Sequence, residues 1–500
     1  MLALLFIENM EYEYEFIILW RSQRSYRELL LYRSRRKKIS NRYCGLHQGQ
    51  DKREDQGLPF EADQIEFVIL THAHIDHSGR LPMLVKNGFK GKIYAIEVTC
   101  ELISVMLKDS AEIQEMDAKW ENKKAKRAGE EEVAPLYTMA DVANTIKNLV
   151  SCSYGQLYEL TDGIKLRFVD AGHILGSASL EIFLNEGSVS KKIVFSGDIG
   201  DMEQPIIKDP QYIKEADYVV MESTYGDRIH EKGGDLGEEL ARIIDKTLSR
   251  GGNVIIPSFA LERTQALLYL LREIKEKELV GNTSFPVYVD SPLASELTRL
   301  YDEDLRIYGD VQTKEMVVNG LDPLDFSHLE FTDSTQESKA LNHDPAPKII
   351  IASSGMCEGG RIKHHLKHNL WRRECSIVFV GFQARGTLGR QLVEGIDKVD
   401  IYGDQIAVSA EIYDFKGLSA HADKNGLLKW INSFNPKPDK IFITHGEDQV
   451  CDEFAETLKG QDLAAVAPSY KAVYSLSDGK QLDSGSEIPV VLSEAYQNLI

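Results

Sequence analysis

A chain of 500 residues, 43% hydrophobic and with a formal net charge of −20, can bury two separate cores and is too acidic to coat nucleic acid wholesale. Its six cysteines lie far apart with no CxxC pair, which argues against a disulfide framework and fits free thiols in a reducing cytoplasm. No apolar run reaches membrane-spanning length, and Leu2–Ile7 runs straight into Glu8 and the acidic Glu11–Glu15, so a soluble cytoplasmic protein is expected.

Trp20–Arg42 is rich in Arg, Ser and Leu and shows neither alternation nor a helical stripe. The first clear element is the apolar run Ile65–Leu70, which reads as a buried strand. It delivers Thr71-His72-Ala73-His74-Ile75-Asp76-His77-Ser78-Gly79. His72 and His74 alternate and can point the same way, while Asp76 and His77 turn into a helix expected near Ser78. One short loop then offers ligands to two adjacent ions, and imidazole with carboxylate suits zinc. The basic Lys119–Arg127 stretch reads as a solvated helix face.

The same design recurs along the chain. Ile164–Val169 reads as a strand leading to Asp170, Gly172 and His173, and Lys192–Phe195 leads to Ser196-Gly197-Asp198-Ile199-Gly200. Val219–Met221 closes on Glu222. Helical Glu238–Leu248 and Glu262–Glu276 then alternate with strand-like Asn253–Ile256, Val287–Val289, Lys348–Ala352 and Ile377–Val380, which implies a parallel, helix-covered sheet. After one of these strands, Ser353, Ser354, Gly355, Met356, Gly360 and Arg361 precede a helix expected from Ile362, a turn able to cradle an anion. The segment Gly381–Arg390, with Arg385, repeats the strand-to-glycine layout. Ser419-Ala420-His421-Ala422-Asp423 follows, and Lys440–Ile443 delivers Thr444-His445-Gly446-Glu447.

The order HxHxDH, a glycine-flanked His, SGDIG and a late HGE resembles the metallo-β-lactamase superfamily. The acidic motif at Glu222 and the histidine motif at His421 are similar to those of its β-CASP group, most closely the prokaryotic ribonucleases related to the endonuclease subunit of the pre-mRNA cleavage and polyadenylation complex. The resemblance covers nearly all of 44–490. It implies an α/β fold: a four-layer αβ/βα sandwich from residues 1–225 and 405–490, with a parallel-sheet α/β β-CASP domain, 226–404, inserted between them.

The resemblance also implies roles. Two zinc ions are expected, one on His72, His74 and His173, the other on Asp76, His77 and His445, with Asp198 bridging. Asp76, Glu222 and His421 are the expected catalytic groups, the last two as a proton relay. Ser353, Ser354, Gly355, Met356, Gly360, Arg361 and Arg385 are expected along the RNA backbone, positioning a strand without reading its sequence. The implied activity is zinc-dependent hydrolysis of single-stranded RNA, with a homodimer left open. A catalytically impaired RNA-binding protein and a small-molecule metallo-hydrolase are the alternatives.

The beginning departs from the family pattern. Phe16–Leu19 resembles the family's first strand, and Cys44-Gly45 resembles the end of its Asp-Cys-Gly motif, but Tyr43 stands where the Asp belongs. Back-translation of Trp20–Arg42, read one base later, permits GAVRGVTGSCFYIEVEEKKFLID, which supplies the missing strand, turn and Asp. The segment is therefore read as frame-shifted between compensating indels, and is expected outside the sandwich's regular sheet or as a poorly packed substitute for two strands.

Overall fold

The computed structural model describes residues 58, 61–186, 189–230, 235–415, 417–470 and 472–485, with the backbone of the strands Leu2–Leu5, Glu15–Ile18 and Leu29–Leu31. Cys44 and all of Trp20–Tyr43 except Leu29–Leu31 fall outside the described residues. Those three residues run parallel to Leu2–Leu5 at one edge of a sheet, while Glu15–Ile18 pairs antiparallel with Ala472–Ser475.

Two sheets face each other in the first domain. One orders its strands Leu29–Leu31, Leu2–Leu5, Phe67–Leu70, Lys92–Ile96 and Leu149–Cys152. The other has seven strands, from Ala465–Val466 through Lys440–Thr444, Tyr218–Glu222, Val189–Phe195, Ala178–Glu186 and Ile164–Asp170 to Leu157–Thr161. Strand alternation sorts their side chains. Tyr218 and Val220 join the core shared with Val68, Leu70 and Ile93, whereas Val219 and Met221 face Leu427, Trp430 and Phe454 of the helices Lys424–Ile431 and Asp448–Lys459. The far side of the first sheet carries the long helix Glu97–Ala128. Lys119 stands on it, 76% exposed, as a solvated face requires.

The second domain is a six-stranded, wholly parallel sheet ordered Leu329–Phe331, Val287–Val289, Ile349–Ala352, Val254–Pro257, Ser376–Phe379 and Glu411–Asp414. Helices cover both faces, which is why its central strands are continuous apolar runs. Ile255, Ile350 and Ile377 pack with Leu366 and Leu370, while Val254, Ile256 and Ile351 pack with Leu267, Leu271 and Leu297. The sheet's last strand, Glu411–Asp414, lies beyond residue 404, the boundary expected for the inserted domain. That short edge strand is only partly buried and lacks the apolar run that marked the others. Because every strand is parallel, Pro257, Val289, Ala352, Phe379 and Asp414 all end on one side. That is where an open α/β sheet places its ligands.

Candidate metal centre

Each ligand-type side chain follows the end of a strand. Phe67–Leu70 is buried throughout, and Thr71, His72 and Ala73 continue buried beyond it. A helical turn, Ile75–Ser78, then opens with His74 at its N-cap, earlier than the helix expected near Ser78. This turn carries Asp76 and His77 round to a second group of donors. Ile164–Asp170 supplies His173 through a loop in which Ser177 Oγ accepts from the His173 N–H at 3.0 Å. Val189–Phe195 supplies Asp198, with Gly197 at φ +61° in the turn. Lys440–Thr444 supplies His445, itself at φ +52°.

The donors meet with metal-like spacing. His74 Nδ1 lies 3.1 Å from His72 Nε2 and 3.1 Å from His173 Nε2. Ligand nitrogens on a tetrahedral ion with bonds of about 2.0–2.1 Å sit roughly 3.3 Å apart. Asp198 Oδ2 is 3.4 Å from His72 Nε2, 3.4 Å from His77 Nε2 and 3.6 Å from His173 Nε2. Its Oδ1 is 3.4 Å from His445 Nδ1, and Asp76 Oδ2 is 3.4 Å from His77 Nε2. Two groups take up the expected donors, His72 with His74, His173 and Asp198, and Asp76 with His77 and His445; a third links Asp198 and His445 to Glu222, the ligand atoms within each lying within 4.8 Å of one another. Asp198 stands between the first two groups.

Electrostatics suit cations. Burial lowers the pKa of His72 and His173 well below the imidazole value, that of His74 to about 4 and that of His445 to about 3. Their lone pairs are therefore free of protons at neutral pH, as metal binding requires. Burial, reinforced by the charge of Asp198, pushes Asp76 up to about 7. Burial also opposes the Asp198 carboxylate, but His445, His77 and His72 around it hold its pKa well below the usual range. Asp198 Oδ1 is buried with no hydrogen-bond partner among the described residues. An anion so placed needs a cation. The residues fit divalent ions. Supporting contacts aim the rings: His173 Nδ1 donates to the Ala420 carbonyl at 3.1 Å, and Thr71 Oγ1 lies 3.1 Å from His72 Nδ1.

Glu222 and His421 adjoin this cluster. Glu222 is fully buried, its Oε1 accepting from the Ile199 N–H at 2.5 Å and its Oε2 lying 3.1 Å from His421 Nδ1. Burial opposes a charge on His421, but Glu222, aided by Asp198 and Asp76, pushes its pKa up to about 9. Its ring centre is 4.4 Å from that of His173. His421 follows the last strand of the parallel sheet, and its segment is stitched to the SGDIG turn, with Ala422 N–H donating to Ile199 O at 2.8 Å and Asp201 N–H to Ala420 O at 3.3 Å.

The residues expected to cradle an anion form a turn, but one of them, Arg361, is otherwise engaged. Ser353, Ser354, Gly355, Met356 and Gly360 form the turn before the helix Ile362–Asn369, and Gly360 takes φ +76° against the Ser353 carbonyl. Arg385 is exposed. Arg361 is already engaged, its Nη1 donating to Asp290 Oδ1 at 2.7 Å and its Nη2 to the Asp333 carbonyl at 2.8 Å. It staples neighbouring strand ends together.

Sequence reasoning missed three residues after the strand Val254–Pro257. Phe259 is 40% exposed, and a Cβ on Gly355 would lie 2.9 Å from its ring. Glu262 centres a γ-turn at φ +71°, ψ −59°, closed by Arg263 N–H to Leu261 O at 2.9 Å. Arg263 opens the helix Arg263–Glu276, and its charge is near enough to His74 to lower that imidazole's proton affinity. The stretch had read as the start of an ordinary amphipathic helix; its place at a strand's end was the available signal.

Comparison with known families agrees with these segments. Residues 45–145 match the metallo-beta-lactamase superfamily, 264–392 the Beta-Casp domain, and 405–468 a family described as a Zn-dependent metallo-hydrolase RNA specificity domain. The chain is 34% identical over 407 residues to ribonuclease TTHA0252 of Thermus thermophilus, covering 81% of this chain and 87% of that one. It is 31% identical over 421 residues to the transcription termination factor FttA of Methanocaldococcus jannaschii, covering 81% of this chain but only 63% of that factor. An RNase J-like protein of the same organism is 31% identical over 398 residues, 79% of this chain and 84% of its own.

Proposed function

The chain belongs to the β-CASP group of the metallo-β-lactamase superfamily, and from that premise we propose that it is a zinc-dependent ribonuclease that hydrolyses single-stranded RNA in the cytoplasm. The observation that carries the reading is the Glu222–His421 pair set beside the two donor groups. Such a pair is needed to expel a poor leaving group such as a sugar oxygen. Zinc suits the donor set of imidazole and carboxylate, and two ions there would neutralise phosphate charge and lower the pKa of a shared water toward about 7.

The chain's own groups do the rest. His72, His74 and His173 form one holding set, Asp76, His77 and His445 the other, with Asp198 common to both. Glu222 accepts from His421 Nδ1, so His421 Nε2 carries its proton toward the departing sugar oxygen. Phosphates of a strand crossing the sheet ends would lie along the turn Ser353–Gly360 and beside Arg385. The exposed ring of Phe259, flush against Gly355, supports a substrate with unpaired bases, which stack on aromatic faces. The five described cysteines are free and buried, which suits a reducing compartment. Among the described residues no helix is long and apolar enough to cross a membrane.

The test is incubation of the zinc-loaded protein with end-labelled and body-labelled RNA. Metal-dependent cleavage is expected, abolished by chelation and restored by zinc. A protein that holds two ions and leaves RNA intact would overturn the reading.

A further inference from the structure

Arg263 is 92% buried by its 8% exposure, yet its Nε and Nη1 donate to nothing among the described residues. Its Nη2 has only a loose contact, 3.4 Å from Glu262 Oε2. Guanidinium is always charged and carries five donors in a rigid fork. A cation withdrawn from water with its donors unused is costly, so such an arrangement is kept where an anion completes it. The position is specific too. The γ-turn at Glu262 holds a non-glycine residue at positive φ, a strain that clusters at ligand sites. It sets Arg263 at the head of its helix, on the side where the parallel strands end.

We propose that Arg263 is a phosphate-binding residue that grips a nucleic-acid phosphate next to the one being cleaved. The inference rests on the ribonuclease reading and adds a subsite to it. The guanidinium, not the helix backbone, is the binding group, because the Arg263 and Thr264 N–H groups already donate to Leu261 and Phe259 carbonyls. Its neighbourhood supports this: Arg263 bears on His74 on one side, and both Arg263 and His421 act on Glu262. Phe259, from the same loop, would then face the base attached to that phosphate or its neighbour. Arg361 cannot serve in its place, being tied to Asp290.

The test uses the full zinc-loaded chain and a phosphorothioate single-stranded RNA that is bound but cut slowly. Dissociation constants are measured from low to high salt for the wild type, Arg263→Met and Arg263→Lys, with zinc content and melting curves for each. Arg263→Met should weaken binding about tenfold or more and reduce the slope of log affinity against log salt by about one. Arg263→Lys keeps the charge and should recover the slope, though not the full affinity of the planar fork. A wild type that binds RNA while Arg263→Met matches it in affinity and slope overturns the assignment. So does equal loss in both variants together with lowered melting temperatures, which marks a packing role. A wild type that neither binds nor cuts RNA sinks the ribonuclease reading itself, a result separable from these.

Discussion

Glu222 and His421, 199 residues apart in the chain, meet at 3.1 Å between Oε2 and Nδ1. One ends a strand of the first domain and the other follows the last strand of the second. The contact therefore joins the two separated parts of the first domain as well as pairing two charges.

Removing His421 separates proton donation from metal holding. His421→Ala should retain both zinc ions and slow RNA cleavage by about 10²–10⁴-fold, the usual scale for a lost general acid. A substrate with a much better leaving group should recover most of that rate. Loss of zinc in this variant would make His421 a ligand instead.

The pH profile tests the same joint from its other side. His421 is raised to about 9, so its proton is present below that value and lost as pH rises through it. Bound cations pull the apparent value down. Glu222→Gln removes the carboxylate charge that holds the proton, so the alkaline limb of kcat should move to lower pH. An unmoved limb would mean that another group supplies the proton.

Asp198 lies 3.4 Å from donors of both groups, His72 on one side and His77 and His445 on the other. Asp198→Ala should abolish cleavage and reduce bound zinc, read by metal analysis, and a better leaving group should not rescue it. In the wild type, zinc at a hundredfold excess over its Kd should add about 2.7 kcal/mol of stability that chelation removes.

Gly200→Ala tests the scaffold. A Cβ there would fall 1.5 Å from the Gly172 carbonyl oxygen, beside His173. Both partners are backbone, so the loop must shift, at roughly 1–3 kcal/mol or more. Lower melting temperature with weakened zinc binding is the expected outcome, and an unperturbed protein would mean that the two loops can part freely.

Arg361→Met should act on stability. Asp290 is fully buried and takes hydrogen bonds from Arg361, His365, Ser338 and Thr332. Losing a partner of a buried carboxylate costs about 3 kcal/mol, and less here because the guanidinium is partly solvated. Denaturant unfolding measures it. A large change in RNA affinity with unchanged stability would restore Arg361 to the phosphate path.

The candidate metal donors were legible because each follows a strand, several of them announced by an apolar run. Phe67–Leu70 before His72 and Tyr218–Met221 before Glu222 are buried at every position. Glu411–Asp414 was not, being a half-exposed edge strand with no such run. Nor was the true partner of Arg361, because Asp290 lies 71 residues away and pairing at that distance leaves no periodic trace. Arg263 escaped for a local reason: a γ-turn at a non-glycine residue carries no composition signature. The family match begins at residue 45, two residues after Tyr43, and Trp20–Tyr43 is the stretch read as out of frame. Resequencing the gene would settle that reading, with one base inserted near Leu19 and two near Tyr43 as the expected finding.

The stitching of Ala420–Ala422 onto Ile199–Asp201 has a bearing on how the protein comes into being. Six of the seven residues expected to hold the metal have been synthesised by residue 198, long before the ribosome reaches His421 and His445. A growing or truncated chain thus has the greater part of an ion site, but neither its proton donor nor its final imidazole. If His421 supplies the proton, cleavage has to wait until this last segment has closed over the first, after the whole chain has left the ribosome.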